Sequence, residues 1–218
     1  MTKINIAIDG PSGVGKSTIA DIVADRLHYI HLDTGAMYRC VAYYVKKNSI
    51  DYMDEAILKE ALDQIHIHFD EDRVLLNGED VSRAIRTNDI SMMASKTSAL
   101  PLVRERLVAL QQEITAEKGY IVDGRDICTV VLPDAEVKIF MSADAKARAQ
   151  RRYNEYIEQG IDADYETIYQ DIVARDYQDT HRTISPLKKA KDAIEVDTSH
   201  LNIEEVVEEV CHIVNKKI

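Results

Sequence analysis

Apolar and polar positions along the chain follow two periods. Five short runs are almost continuously apolar or β-branched: INIAID from Ile4, YIHLD from Tyr29, YIVDG from Tyr120, VKIFMS from Val137 and AIEVD from Ala193. Such runs suit strands covered on both faces, as in a parallel sheet. Between them apolar residues recur at helical spacing. KSTIADIVADRL places Ile19, Ile22, Val23 and Leu27 on one stripe, and NIEEVVEEVCHIVNKK is predicted to bury Ile203, Val206, Val207, Val210 and Val214. The acidic start and lysine end of the latter complement the helix dipole, which marks it as structural packing. Strands alternating with helices predict an α/β fold, doubly wound, with a five-stranded parallel sheet flanked by helices.

Four of the runs close on Asp9, Asp33, Asp123 and Asp197. Open α/β sheets bind ligands beyond the carboxyl ends of their strands, so these carboxylates are expected to ring one mouth. The alternative for Asp9 and Asp197 is that they cap turns and helix starts.

Two regions break the alternation. HIHFDEDRVLLNGEDV alternates and turns at Asp70 to Asp72 and at Asn77-Gly78, predicting a small β-ribbon insert within residues 46–89. In RRYNEYIEQGIDADYET a glycine separates two helical patterns, which predicts a flap or lid over residues 151–165. The core is then residues 1–45, 90–150 and 166–218.

Composition narrows the class. A chain of 218 residues can bury a full α/β core with insertions, and 45% hydrophobic with 30% charged residues reads as a soluble globular protein. A formal net charge of −11 argues against nucleic-acid partners, which call for a broadly basic face, so any anion must be held by a local cluster of cations. No run approaches a membrane span, and the chain enters its first strand without an apolar leader; a cytoplasmic protein with no membrane partner is expected. Cys40, Cys128 and Cys211 are odd in number and far apart, which predicts three reduced thiols.

The most specific motif is GPSGVGKST, Gly10 to Thr18, which matches G-x-x-x-x-G-K-S/T between a predicted strand and a predicted helix. Gly10, Pro11, Ser12, Gly13, Val14, Gly15, Lys16, Ser17 and Thr18 are therefore the expected site for nucleotide phosphates. Backbone N–H groups and the helix N-terminus would cradle the β-phosphate, Lys16 would neutralise β/γ oxygens and Ser17 would contact Mg²⁺. A GTPase switch would also carry D-x-x-G and N-K-x-D. None of the eight glycines has Asp three residues earlier, and N-K occurs only in VNKKI. A phosphotransferase instead needs arginines outside the loop for its acceptor.

Several stretches offer them. DTGAMYR, after the second run, carries Thr34 and Arg39; SKTSALPLVRERL carries Ser95 and Arg104; IVDGRDICTVV sets Arg125 and Asp126 at the end of a buried run. In VARDYQDTHR, Arg175, Asp179 and Arg182 share one helix face, either as a ligand site or as a surface ion-pair ladder. Arg148, Arg151 and Arg152 lie on the helix entering the flap, placed to close over a γ-phosphate, with Arg148 equally readable as a solvated residue. Asp33 either orients a water on Mg²⁺ or fixes the DTGAMYR turn. His66 and His68 are read as exposed strand residues.

Taken in order, IDGPSGVGKST, LDTGAMYR, LNGEDVSRAIRT, VDGRD with TVVLPDAEVKIF, RDYQDTHR and SPLKKAKDAIEVDTS resemble the bacterial cytidylate kinases, a family of nucleoside monophosphate kinases, over essentially the whole chain. The resemblance implies a P-loop NTPase fold with an acceptor-binding α+β insert and a short lid. It implies transfer of the γ-phosphoryl group of ATP to CMP or dCMP with Mg²⁺, in pyrimidine metabolism, by a monomer. It also implies that Arg39, Arg125 and Arg182 hold the acceptor phosphate, Asp179 with Arg175 the ribose hydroxyls, and Ser95, Arg104 and Asp126 the cytosine edge. The role of Asp126 has a physical warrant besides: a carboxylate accepts from the exocyclic amino group of cytosine and repels the carbonyl of uracil. Two positions depart from the family pattern. Cys128 stands where glycine is common, so its backbone must avoid positive φ or tolerate strain, and Thr34 replaces a serine found in some members.

Overall fold

The computed structural model describes residues 3–70 and 73–217. In chain order the elements are β1 (Ile6–Asp9), α1 (Lys16–Leu27), β2 (Ile30–Asp33), α2 (Thr34–Lys47), α3 (Glu55–Asp63), β3 (Ile67–Asp70), β4 (Arg73–Leu76), β5 (Glu79–Asp80), α4 (Asn88–Thr97), α5 (Pro101–Ile114), β6 (Tyr120–Gly124), β7 (Val137–Ser142), α6 (Ala145–Glu158), α7 (Tyr165–His181), β8 (Ile194–Asp197) and α8 (Ile203–Asn215). They form two compact units, Met1–Leu32 with Thr115–Ile218, and Asp33–Ile114.

The first unit carries a five-stranded sheet in the order β2-β6-β1-β7-β8. Its central strand, β1, runs parallel to both neighbours, Ile6 facing Ile121 on one side and Val137 on the other, and all four of its residues are buried. The edge strands β2 and β8 are more exposed, because an edge strand lacks cover on one side. The predicted strands and their parallel arrangement are present, which makes this the expected α/β fold. Ile8, Ile139 and Met141 of the sheet form one core with Ile19 and Val23 of α1 and with Val206, Val207, Val210 and Val214 of α8. Ile22 and Leu27 pack on it partly buried. Ile203 corrects the predicted stripe: at the first position of α8 it is 55% exposed and borders an open cavity, and Ile213 is buried in the core instead.

Helices α6 and α7 pair over a core of their own, Ala149, Ile168 and Ile172 with Tyr153, Tyr156, Tyr165 and Tyr169. The glycine between the two helical patterns, Gly160, has φ +70 just after the end of α6, the left-handed geometry that ends many helices.

In the second unit α2 packs on α4 and α5, and α3 on α5. A three-stranded antiparallel sheet β3-β4-β5 accounts for the predicted ribbon. Its second turn, Asn77-Gly78, has positive φ at both residues, as a tight hairpin demands. In the turn expected at Asp70 to Asp72, residues 71 and 72 lie outside the described residues. His66 and His68 are exposed. No helix among the described residues is long and apolar enough to cross a membrane. The three thiols are free.

Candidate active site

The GPSGVGKST loop joins β1 to α1 and is shaped by close approach and backbone sign. A Cβ at Gly10 would fall 2.2 Å from the carbonyl oxygen of Met141, so no larger residue fits there. Gly15, the N-cap of α1, is left-handed at φ 94 and has no side chain to cap the helix. Helices α2, α3, α6, α7 and α8 are each capped by an Asp or Asn side chain. Helix α1 has neither such a cap nor an acidic residue in its first turn. Its first N–H groups therefore have no side-chain acceptor, and an anion is the group that suits them.

Lys16 is buried and donates to the carbonyl oxygens of Gly10 and Pro11, both at 2.8 Å. Burial, helped by the charge of Arg125, pushes its pKa down to about 7 against the pull of Asp123, Asp9 and Asp179. An ammonium so poorly solvated gains strongly from a phosphate beside it.

Ser17 Oγ donates to Asp123 Oδ2 at 3.1 Å. Asp123 Oδ1 lies 2.7 Å from His31 Nε2, and the other ring nitrogen of His31 bonds Asp21. Burial lowers the affinity of His31 for its proton, but the two carboxylates outweigh it and lift its pKa to about 10. Burial likewise opposes ionisation of Asp123, yet His31, Lys16 and Ser17 hold it below the usual carboxylate range. Hydroxyl and carboxylate oxygens side by side at the mouth of a phosphate loop are the hard donors that Mg²⁺ takes when phosphates complete its shell. Among the described residues no group of three or more His, Cys, Asp or Glu could hold a metal.

The other strand-end carboxylates have different partners. Asp9 is buried and accepts from the backbone N–H groups of Ile127 and Cys128, each at 2.8 Å. Asp197 accepts from Ser199. Asp33 caps α2 through Ala36 N and takes Arg39 Nη2 at 2.9 Å, the turn-fixing arrangement.

Arg125 and Asp126 follow directly on β6 and meet α7 and the residue after it. Arg125 Nε donates to Asp179 Oδ2 at 2.8 Å, and Arg182 Nη2 lies 3.6 Å from Asp126 Oδ1. Burial would raise the pKa of Asp179, but Arg125, Arg182 and Arg175 hold it low. Arg175 is half-buried on the same helix. Arg125, Asp126, Asp179 and Arg182 form a largely buried set of two cations and two anions, with Arg175 half-buried beside them, rather than a surface ladder.

A cavity of about 700 Å³ opens beside the loop, lined by Gly13, Gly15 and Thr18, by Arg151 and Arg152 of α6, and by Leu201 to Glu204. This is the volume range of a nucleotide-sized ligand. Arg151 is tied to Thr198, bonding its Oγ1 at 3.2 Å and also its carbonyl oxygen. Arg148, read from sequence as a phosphate-closing or a solvated residue, is not solvated: it is 4% exposed, bonded to Ser12 and Asp176, and borders the same cavity.

In the second unit Arg104 is buried, donates to Ser98 O at 3.3 Å and stands 5.5 Å from the centre of the Tyr38 ring. Thr34 begins α2 and is buried, and Ser95 lies half-buried in the last turns of α4.

A sequence model of cytidylate kinase matches residues 6–216. The chain belongs to the cytidylate kinase family. It is 50% identical to a cytidylate kinase of Lactobacillus gasseri over 98% of this chain and 95% of that one. It is 46% identical to the cytidylate kinase of Bacillus subtilis, covering 99% and 98%. Two solved structures share the fold at low identity. One is an uncharacterized protein from Eubacterium ventriosum (TM-score 0.52, 14% identity, 98% and 99% covered). The other is a gluconokinase from Sinorhizobium meliloti (TM-score 0.50, 15% identity, 99% and 94% covered).

Within this family the chain's Cys128 has a local answer. It lies in a single wide helical turn, Ile127–Val131, is not among the positive-φ residues, and directs its thiol toward the Ala7 carbonyl at 3.5 Å. Asp123 is one of the four carboxylates that the strand ends place at the mouth; no pattern in the sequence marks His31, because its partner Asp123 lies 92 residues away.

Proposed function

We propose that this cytidylate kinase family member transfers the γ-phosphoryl group of ATP to CMP or dCMP, forming ADP and CDP or dCDP. The observation that carries the reading is the convergence of Arg125, Asp126, Asp179 and Arg182 at the carboxyl end of β6, the strand whose Asp123 touches Ser17 of the loop. Phosphoryl transfer needs in-line placement and neutralised charge more than covalent help, and this is what the arrangement offers.

The loop amides and Lys16 hold the donor phosphates. Arg125 and Arg182 exchange their carboxylate partners for the acceptor phosphate, which leaves Asp126 free for the cytosine amino group and Asp179, with Arg175, for the ribose. Because the arginines are already dehydrated and paired, the exchange costs little new desolvation. Ser17 and Asp123 would hold Mg²⁺, which when bound would supply charge neutralisation to the donor phosphates. Arg151 and Arg152 close on the γ-phosphate from a lid over residues 151–165. In the second unit, family resemblance assigns Thr34, Arg39, Ser95 and Arg104 to the acceptor, with residues 46–89 as the acceptor-binding insert. The protein acts in the cytoplasm as a monomer on small nucleotides.

The test is ADP release from ATP with CMP, dCMP, UMP and AMP as acceptors. A preference for the two cytidine nucleotides is expected. A preference for AMP, or equal use of CMP and UMP, overturns the cytosine assignment, and release independent of acceptor overturns the kinase reading.

A further inference from the structure

The guanidinium of Arg148 joins three separate segments. Its Nε donates to Ala143 O at 3.0 Å, after β7; Nη1 donates to Ser12 O at 2.9 Å, in the phosphate loop; and Nη1 and Nη2 grip Asp176 of α7 at 3.0 and 2.5 Å. A planar fork with fixed donors can satisfy these acceptors together; a lysine cannot.

The bond to Ser12 bears on phosphate binding. In a trans peptide the N–H points opposite to the C=O, so holding the Ser12 carbonyl sets the direction of the Gly13 N–H. Lys16 holds the two preceding carbonyls, Gly10 and Pro11. Three successive peptides of the loop are thus fixed by two cations. Among the described residues Lys16 bonds two backbone carbonyls and no carboxylate, and so is left to meet phosphate, whereas the charge of Arg148 is matched by Asp176, which separates its role from that of Arg151 and Arg152. Asp176 adjoins Arg175 and precedes Asp179 by three residues, and Asp179 holds Arg125. One part-buried ion pair therefore fixes the loop that takes the donor phosphates against the helix that carries the acceptor residues.

We infer that Arg148 and Asp176 are a positioning pair that keys the phosphate loop to α7 and so sets the alignment of donor and acceptor for in-line transfer. The inference rests on the phosphotransfer reading above for its kinetic consequence, though not for its effect on the loop. A misplacement of about 1 Å at a transfer site costs about 10²-fold in rate.

The test uses Arg148→Lys, Asp176→Asn and the double variant in the full-length chain. In Arg148→Lys, kcat with CMP is expected to fall about 10²-fold while the KM for CMP stays within about threefold. The double variant is expected to be no slower than Arg148→Lys, since the two residues act as one unit. ADP titration by calorimetry, which needs no acceptor, is expected to show about tenfold weaker binding in Arg148→Lys from the misdirected loop amide. Asp176 is about a quarter exposed, so Asp176→Asn removes the charge without opening a cavity and carries the test should the buried variant lose its fold. Folded single variants with kcat and ADP affinity within about threefold of the parent, or effects that simply add, overturn the proposal. A parent that binds ADP yet leaves CMP untouched overturns the kinase reading alone, and the ADP affinities still decide the role of the pair.

Discussion

Arg125 Nε donates to Asp179 Oδ2 at 2.8 Å, joining the end of β6 to the last turn of α7. The next residue, Asp126, pairs in the opposite sense with Arg182 at 3.6 Å. Two adjacent residues of opposite charge thus meet two residues of opposite charge, and the group is neutral until an acceptor arrives. Arg125→Ala and Arg182→Ala are each expected to lower kcat/KM for CMP by about 10³, or about 4 kcal/mol of transition-state stabilisation. Steady-state kinetics decides this: a loss below about tenfold means that neither arginine serves the transferring phosphoryl group.

The proposed function gives Asp126 the discrimination between cytosine and uracil. Asp126→Asn presents an amide that can donate to the uracil carbonyl, so the ratio of kcat/KM for CMP over UMP is expected to fall about tenfold more than kcat for CMP does. Unchanged selectivity contradicts the assignment.

Asp123 meets Ser17 at 3.1 Å and is braced by His31. In the proposed Mg²⁺ site, Asp123→Asn weakens one ligand and leaves the acceptor residues in place. The Mg²⁺ concentration for half-maximal rate is expected to rise about tenfold or more, with KM for CMP within about threefold. Equal effects on both would point to a general loss of structure.

Asp9 lies beneath the loop with its pKa raised to about 6, chiefly by burial, against the backbone N–H groups of Ile127 and Cys128 that lower it. The folded protein holds this proton more tightly than the unfolded chain, so the stability it contributes is full below the ordinary pKa of 3.8 and is lost as pH rises through about 6. The stability of the parent relative to Asp9→Asn is therefore expected to fall by about 3 kcal/mol from acid to neutral pH. Urea unfolding of both proteins from about pH 3 to 7.5, a range that spans both pKa values, measures the difference; a flat difference contradicts it.

Much of this arrangement is legible in sequence because it depends on local order. Continuous apolar runs such as INIAID give β1, and a glycine-rich loop before KSTIADIVADRL gives both the phosphate site and α1. The Asn77-Gly78 hairpin follows from two residues that accept positive φ. What escapes is pairing over distance. No pattern marks His31 for Asp123, or Arg148 for Ser12, 136 residues away. Helical spacing groups Arg148 with Arg151 and Arg152, yet burial removes it from solvent and gives it a different task. Periodicity likewise counts Ile203 into the α8 stripe, and only the position of the helix start leaves it at a cavity rim.

The most direct measurement of the central claim is a competition with equimolar CMP and UMP in one reaction with ATP and Mg²⁺, the products separated by chromatography. The account predicts CDP well in excess of UDP, with ADP equal to the sum of the two. UDP matching CDP, or ADP formed without either diphosphate, would contradict it.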